Sequence, residues 1–193
     1  MTNIESKIEF FFESPNKWVD GRTKYSNLYL LRRDIYTCFG VDPSSQVKIN
    51  YCAKWPATMS ILAGIDLLSK YYYGQDDGKV GERFIGYFKK YINDQDFEII
   101  YQLRNSLLHS FGLYSFKIDR KTNIRKEYYF ALTSNENRLV SKIKDNSYLI
   151  DVYTLWREFE KSITLYYKEL REDNDLKIKF DKMFPYYSIT DIS

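Results

Sequence analysis

The sequence predicts a mainly α fold, a helical bundle with a small β-hairpin inserted before its last long helix. Apolar residues recur at helical spacing along most of the chain, and only eight glycines and four prolines interrupt its 193 residues. Apolar and polar residues alternate with a period of two, as in a strand, in one region only, approximately residues 113–149. Because the chain shows no internal repeat and no linker, a single domain over residues 1–193 is expected.

The composition is that of an ordinary globular protein. Hydrophobic residues make up 44% of the chain and charged residues 28%, which is enough for a substantial core. The 19 tyrosines and 13 phenylalanines suit a core and an interface at once, since a tyrosine buries its ring and keeps a hydroxyl available. An AT-rich coding sequence would give the same excess. The net charge of +3 is too small to predict nucleic-acid binding by itself.

Cysteine usage and apolar patterning indicate the compartment. Cys38 and Cys52 are the only cysteines and His109 is the only histidine, so zinc and iron–sulfur chemistry are not expected, nor any other metal or cofactor. Residues 1–12 lack the basic region and apolar run of a signal peptide. No stretch approaches the roughly 20 apolar residues that cross a bilayer. We therefore expect a cytoplasmic protein that makes no membrane contact.

Apolar periodicity predicts five long helices. Gly40 with Pro43, and later the run GQDDG at 74–78, mark helix ends. Pro56 suits the first turn of a helix, where a missing N–H costs nothing. The predicted helices cover 26–39, 56–73, 80–92, a segment from Asn93 or Asp94 to Gly112, and 150–172.

The two ends of the chain give weaker patterns. Residues 3–13 fit a short helix, but a strand through 8–12 fits equally well, and the pattern does not decide. Residues 176–184 fit a short tail helix that ends before Pro185.

The alternating segments 113–118 and 127–133 predict the inserted hairpin, and 138–149 adds one strand or a pair of strands. The connecting stretch KIDRKTNIRK holds five cations against the single carboxylate of Asp119. Such a stretch either follows an RNA backbone or forms an ordinary solvated turn, and both interpretations stay open. The candidate RNA-binding residues are Lys117, Arg120, Lys121, Arg125 and Lys126.

The stretch LRNSLLHSFG at 103–112 places Arg104 and Asn105 shortly before His109. On a helical wheel, at about 100° per residue, Arg104 lies in the middle of the apolar face, and His109 lies about 140° away. A guanidinium in a core needs an anionic partner or a wet interface, whereas a lone histidine at a helix end commonly caps the last carbonyls. The carboxylates that could pair with this arginine are Asp66, Glu82 and Glu98.

The pattern of Arg104, Asn105 and His109 near the end of a long helix resembles the signature of the HEPN superfamily (higher eukaryotes and prokaryotes nucleotide-binding). That signature is an arginine, a polar residue that is often asparagine, and a histidine four to six residues after the arginine. The motif covers about ten residues, and the helical context extends the likeness over about 26–112. A minimal HEPN bundle has no β insertion, so the resemblance implies an elaborated HEPN-like helical bundle.

The resemblance implies a metal-independent endoribonuclease that acts as a homodimer, with the two motif helices facing each other, and that serves as a toxin or antiviral defence effector with an antitoxin or other protein partner. His109 would move a proton, since imidazole does so near neutral pH. Arg104 would hold the scissile phosphate, and Asn105 would orient the ring or contact the phosphate. Because the wheel separates Arg104 from His109, we expect an active site shared across the dimer interface.

Two other functions remain open. A HEPN-like dimeric module that binds a nucleotide, RNA or a protein without cutting would retain Arg104 and His109 as structural or ligand contacts. An unrelated helical interaction protein would carry the motif by coincidence.

Overall fold

The computed structural model describes residues 3–15, 22–42, 45, 47, 52–93, 95–119 and 121–191. Within these residues the chain forms seven helices and six strands. The helices are α1 (Ile4–Phe11), α2 (Asn27–Cys38), α3 (Lys54–Tyr73), α4 (Val80–Tyr91), α5 (Phe97–Ser110), α6 (Val152–Glu172) and α7 (Asn174–Tyr187). The strands are β1 (Lys24–Ser26), β2 (Tyr114–Ile118), β3 (Arg125–Thr133), β4 (Val140–Lys144), β5 (Ser147–Asp151) and β6 (Ile189–Asp191).

Helix α3 lies at the centre and packs against α2, α4, α5, α6 and α7. Its apolar residues extend nearly all the way round, as expected of a buried helix, and Ile61, Ile65 and Leu68 have no exposed surface. At Gly64 a Cβ atom would lie 2.5 Å from the Phe159 ring, so glycine permits the close approach of α6. The five predicted long helices are confirmed in position, with ends shifted by a few residues.

The predicted fold class is wrong, because the chain is α+β rather than a helical bundle with a small β-hairpin inserted before its last long helix. Strands β2, β3, β5 and β4 form, in that order, a four-stranded mixed sheet, and β3 and β5 in its middle run parallel. A second sheet pairs β1 with β6 in antiparallel orientation. The described strands thus include two short segments, β1 after α1 and β6 after α7, as well as the region predicted to be an insertion.

The four-stranded sheet shares the hydrophobic core of the helices, which is why it cannot be treated as an appendage. Tyr128 and Ile150 have no exposed surface, and Phe130 and Tyr148 are at least nine-tenths buried in the same core. Strands β2 and β3 contact α5, and β5 contacts α6. A sheet with one face in the core contributes to folding as a second layer against the helices.

The ends of the chain resolve the alternatives left by the sequence. Residues 4–11 form helix rather than strand, and the side chain of Asn3 caps the helix by accepting the N–H of Glu5 at 3.1 Å. Helix α7 continues through Pro185 to Tyr187 instead of ending before the proline. No described helix is both long and apolar enough to cross a membrane.

Candidate functional site

Helix α5 carries the Arg-Asn-x-x-x-His motif and is fixed at both ends. Before it, the side chain of Asn93 accepts the N–H groups of Gln95 and Asp96 at 2.7 and 3.1 Å. The N-cap position is Asp96, whose side chain makes no capping hydrogen bond, so the helix begins after the predicted start at Asn93, and Asp94 lies outside the described residues. After it, Phe111 adopts φ +47° and ends the helix, a position predicted for Gly112. A phenylalanine in the left-handed region is strained, and its ring packs 5.8 Å from that of Trp55.

Arg104 is 9% exposed and forms an ion pair with Asp66 of α3. Its Nε and Nη2 atoms donate to the Asp66 Oδ2 atom at 2.9 and 2.5 Å. Asp66 is one of the three carboxylates that the sequence offered as a partner, and the structure selects it. Burial raises the pKa of the Asp66 carboxyl, even though the neighbouring guanidinium acts in the opposite direction.

The third nitrogen of the Arg104 guanidinium, Nη1, contacts the other two residues of the motif. Arg104 Nη1 donates to the Oδ1 atom of Asn105 at 3.3 Å and lies 2.7 Å from the Nε2 atom of His109. Asn105 is partly buried and His109 is exposed. Since a guanidinium can only donate, its contact with His109 requires a neutral ring that carries its proton on Nδ1. The three motif residues therefore meet at one point on the surface of a single chain.

This geometry corrects the expectation drawn from the helical wheel. The wheel gives the direction of each Cβ atom, but His109 lies only about 7.5 Å along the axis from Arg104, and an arginine side chain spans such a distance. The guanidinium extends from the apolar face toward the helix end and reaches the ring. A dimer is consequently not needed to bring Arg104 and His109 together.

On one side of the β2–β3 pair, Lys117 lies opposite Lys126 in the strand register. Lys117 Nζ bonds the Glu98 carboxylate of α5 at 3.2 Å, and Lys126 Nζ lies 5.0 Å from the centre of the Tyr128 ring. Tyr128 in turn donates to Glu98 at 2.8 Å. Although burial opposes ionisation, the hydrogen bonds from Tyr128 and Lys117 lower the pKa of the Glu98 carboxyl.

The other predicted RNA-binding residues lie farther along the hairpin. The Arg125 guanidinium covers the Phe116 ring at 4.2 Å and lies 3.2 Å from the Glu127 carboxylate. Lys121 is exposed at the turn, and Arg120 lies outside the described residues. The structure thus places the described cations on an exposed hairpin adjacent to α5, separate from the cluster formed by Arg104, Asn105 and His109.

A groove connects the motif to the hairpin, and it is the feature that the sequence did not predict. It lies between α4, α5 and β2 and has a volume of about 570 Å³. The signal available in the sequence was the shared polar side of Gln102 and Asn105 on the wheel. The groove is lined by Gly81, Glu82, Ile85, Phe97, Glu98, Tyr101, Gln102, Asn105, Phe116 and Lys117.

Among the described residues, no three histidine, cysteine or carboxylate side chains are grouped as metal ligands would be. Cys38 and Cys52 are free and partly buried. Comparisons with protein-family models, with curated proteins and with solved structures find no match to this chain. A functional assignment therefore depends on the geometry around His109.

Proposed function

We propose that this protein is a metal-independent endoribonuclease of the HEPN type that acts as a homodimer in the cytoplasm, in the role of a toxin or antiviral effector. The observation that carries the proposal is the contact of Arg104 Nη1 with both Asn105 and His109. It presents an imidazole at the surface with a buried cation directly behind it, and this pairing suits proton transfer next to a phosphate.

The reaction supported by these groups is an internal transesterification of RNA. The Nε2 atom of His109 takes the proton of a 2′-hydroxyl, and the 2′ oxygen forms a bond to the adjacent phosphorus. The bond from phosphorus to the 5′ oxygen breaks, and the proton passes to that leaving oxygen. Charge developing on the phosphate is stabilised by the nearby guanidinium. Atoms and protons balance without a co-reactant.

In this proposal Arg104 contacts the phosphate through one nitrogen, because most of its guanidinium is engaged within the chain. Four of its five N–H groups already have acceptors on Asp66, Asn105 and His109. When a phosphate approaches, its oxygen replaces His109 as an acceptor of Nη1, which frees the Nε2 lone pair for the 2′-hydroxyl. Asn105 keeps the guanidinium in place during this exchange.

The homodimer in the proposal is supported by the end of α5. Phe111 is 70% exposed and follows His109 by two residues, and exposed aromatic side chains are enriched in protein interfaces. A second copy packed on this end would enclose the histidine and exclude water from the reacting atoms.

A second candidate function is a non-catalytic module that binds RNA, a nucleotide or a protein. One observation favours it: the Arg104–Asp66 ion pair has side chains only 10% and 16% exposed. A guanidinium neutralised in this way stabilises the α3–α5 packing and gives a phosphate less charge than a free arginine does.

The two functions are separated by incubating purified protein with single-stranded and structured RNA in EDTA, beside the variants His109→Ala, Arg104→Ala and Ser110→Ala. Ser110 is the exposed neighbour of His109 and serves as the matched control. The ribonuclease proposal expects cleavage by the wild type and by Ser110→Ala, and a loss of about 10²–10⁴-fold in His109→Ala. Cleavage that is absent, or that persists in His109→Ala, would contradict it. RNA binding without cleavage would support the non-catalytic module.

A further inference from the structure

Asn105, the middle residue of the motif, is among the residues that line the groove between α4, α5 and β2. Its volume of about 570 Å³ lies within the range of roughly 300–1,000 Å³ that is typical of ligand sites. Aromatic rings of Phe97, Tyr101 and Phe116 line it together with polar groups. Its position next to His109 makes it the natural place for a part of the substrate that does not react.

Gln102 supplies the most specific feature of the groove. The side chain is 4% exposed, and its Oε1 atom accepts a hydrogen bond from Ser115 Oγ at 2.8 Å. This bond turns the amide nitrogen away from Ser115, and within the described part of the chain that nitrogen has no hydrogen-bond partner. This nitrogen is not among the described buried atoms that lack a partner, so it reaches the surface of the groove, where an acceptor on a ligand can replace water.

Asn105 adds a second donor on the same side of the helix. Its Oδ1 atom accepts from Arg104 Nη1 at 3.3 Å, and its amide nitrogen bonds none of the residues that the structure describes. Residues three apart on a helix are neighbours, with Cβ atoms about 5–6 Å apart. Gln102 and Asn105 therefore offer two N–H groups to a single planar ligand.

The charge of the groove excludes a phosphate as its preferred ligand. Two carboxylates, Glu82 and Glu98, line it beside the one cation of Lys117, and the lowered pKa of Glu98 keeps that carboxyl ionised near neutral pH. A neutral flat ring avoids this repulsion and stacks on the aromatic walls. Gly81 lets the Tyr101 ring pack directly against α4 as one wall: a Cβ atom there would lie 2.6 Å from the Tyr101 hydroxyl.

We propose that this groove binds one unstacked nucleobase of the RNA, held by the amides of Gln102 and Asn105 and stacked on Phe116, and that it selects bases with two acceptors on one edge. Uracil has two carbonyl oxygens, and guanine has O6 and N7 as neighbouring acceptors. This inference rests on the proposed action on RNA and adds a base preference to it. The adjacent basic hairpin then contacts the backbone of the same strand.

The test measures binding without cleavage. Short fluorescent oligonucleotides with 2′-O-methyl groups lack the reactive hydroxyl, so their affinity is independent of catalysis. Three probes are compared: oligouridylate, oligoadenylate, and an alternating guanosine–adenosine strand. The protein variants are Phe116→Ala and Gln102→Leu, with Tyr129→Ala as the matched control. Phe116 and Tyr129 are 47% and 46% exposed on the same strand pair, but only Phe116 lines the groove.

We expect the wild type to bind the uridine and guanosine probes more tightly than oligoadenylate. Phe116→Ala should weaken all binding by about tenfold, the effect of losing one stacked base. Gln102→Leu should weaken only the uridine and guanosine probes, by about fivefold. Tyr129→Ala should bind like the wild type.

The inference is overturned if both groove variants bind like the wild type, if oligoadenylate is preferred, or if no probe binds. Since Phe116 is half exposed, its variant retains the fold even where Gln102→Leu does not. The outcome is distinct from that of the ribonuclease assay. Base-selective binding that depends on Phe116, in a protein that cuts no RNA, would support the groove and contradict catalysis by His109.

Discussion

Two polar contacts on helix α5, at Arg104 and at Glu98, connect the helix to different parts of the molecule. Near the end of the helix, Arg104 pairs with Asp66 and extends one nitrogen to the exposed ring of His109. Near the beginning, the Glu98 carboxylate accepts from Tyr128 at 2.8 Å and from Lys117 at 3.2 Å. The first contact connects the core to a titratable group at the surface, whereas the second connects the helix to the sheet.

The two contacts therefore have different roles: the one at His109 serves the proposed reaction, and the one at Glu98 stabilises the fold. The contact at His109 leaves a ring that can exchange a proton with solvent or substrate. At Glu98, the Oε1 atom accepts from Lys117 of β2 and from Tyr128 of β3, and so holds the sheet against α5. The groove lies between these two contacts. Its shape depends on the contact at Glu98, and the reaction proposed beside it depends on the contact between Arg104 and His109.

The largest expected difference concerns stability. Arg104→Met should lower the free energy of unfolding by about 3–5 kcal/mol, because it leaves Asp66 buried without its partner. Lys117→Met should change it by about 1 kcal/mol or less, since the lysine side chain is 55% exposed. Urea denaturation measures both. Equal effects would show that the two contacts do not differ as we argue, and a double variant of Arg104 and Asp66 should recover part of the loss.

The contact at Glu98 should show a smaller effect on stability and none on chemistry. Tyr128→Phe removes the hydroxyl that donates to Glu98, and we expect a loss of about 1–2 kcal/mol with unchanged cleavage chemistry at His109. Tyr129→Phe is the matched control, because Tyr129 donates to the exposed Glu127 carboxylate. A change in Tyr129→Phe as large as that in Tyr128→Phe would argue against an architectural role for the Glu98 contact.

The two carboxylates should also differ in how stability depends on pH. The pKa of Glu98 is lowered in the folded chain, so its stabilising contribution is present above the ordinary glutamate pKa and is lost as pH falls through the folded value. The pKa of Asp66 is raised, so its contribution is present at low pH and is lost as pH rises through the folded value. Denaturation of Glu98→Gln and Asp66→Asn across acidic pH, each compared with the wild type, should give slopes of opposite sign.

The smallest expected effect is at the hairpin tip. Lys121→Ala should reduce the slope of log affinity against log salt by about 0.7 for one lost contact with a single strand. Lys161 on α6 is exposed and paired with Glu158 at 3.5 Å, and Lys161→Ala should leave the slope unchanged. Titrations of a labelled RNA at several salt concentrations give the comparison. Equal slopes in both variants would show that Lys121 does not contact the RNA.

Helix positions could be predicted from the sequence because the apolar period is local and the breakers are strong, as at Gly74. The fold class could not. The parallel pairing of β3 with β5 and the pairing of β1 with β6 depend on contacts between distant segments. Short alternating segments show that strands exist, but they carry no information on which strands meet.

Arg104, Asn105 and His109 could be named as candidates from the sequence, but their geometry could not be predicted. The wheel correctly placed Arg104 where it needs an anion, and Asp66 was among the candidates. The wheel failed at His109, because it represents side chains as directions and ignores the reach of a guanidinium. The groove beside Gln102 depends on β2 packing against α5, a contact that no local pattern encodes.

The proposed site around His109 can be tested by NMR, because His109 is the only histidine in the sequence. Its ring nitrogens give an unambiguous ¹⁵N spectrum in protein labelled at histidine. At a pH where free imidazole is neutral, we predict the tautomer with the proton on Nδ1, a change in the Nε2 signal in Arg104→Met, and a further change when non-cleavable oligouridylate binds. A proton on Nε2, or ring signals that respond to neither, would contradict the proposed site.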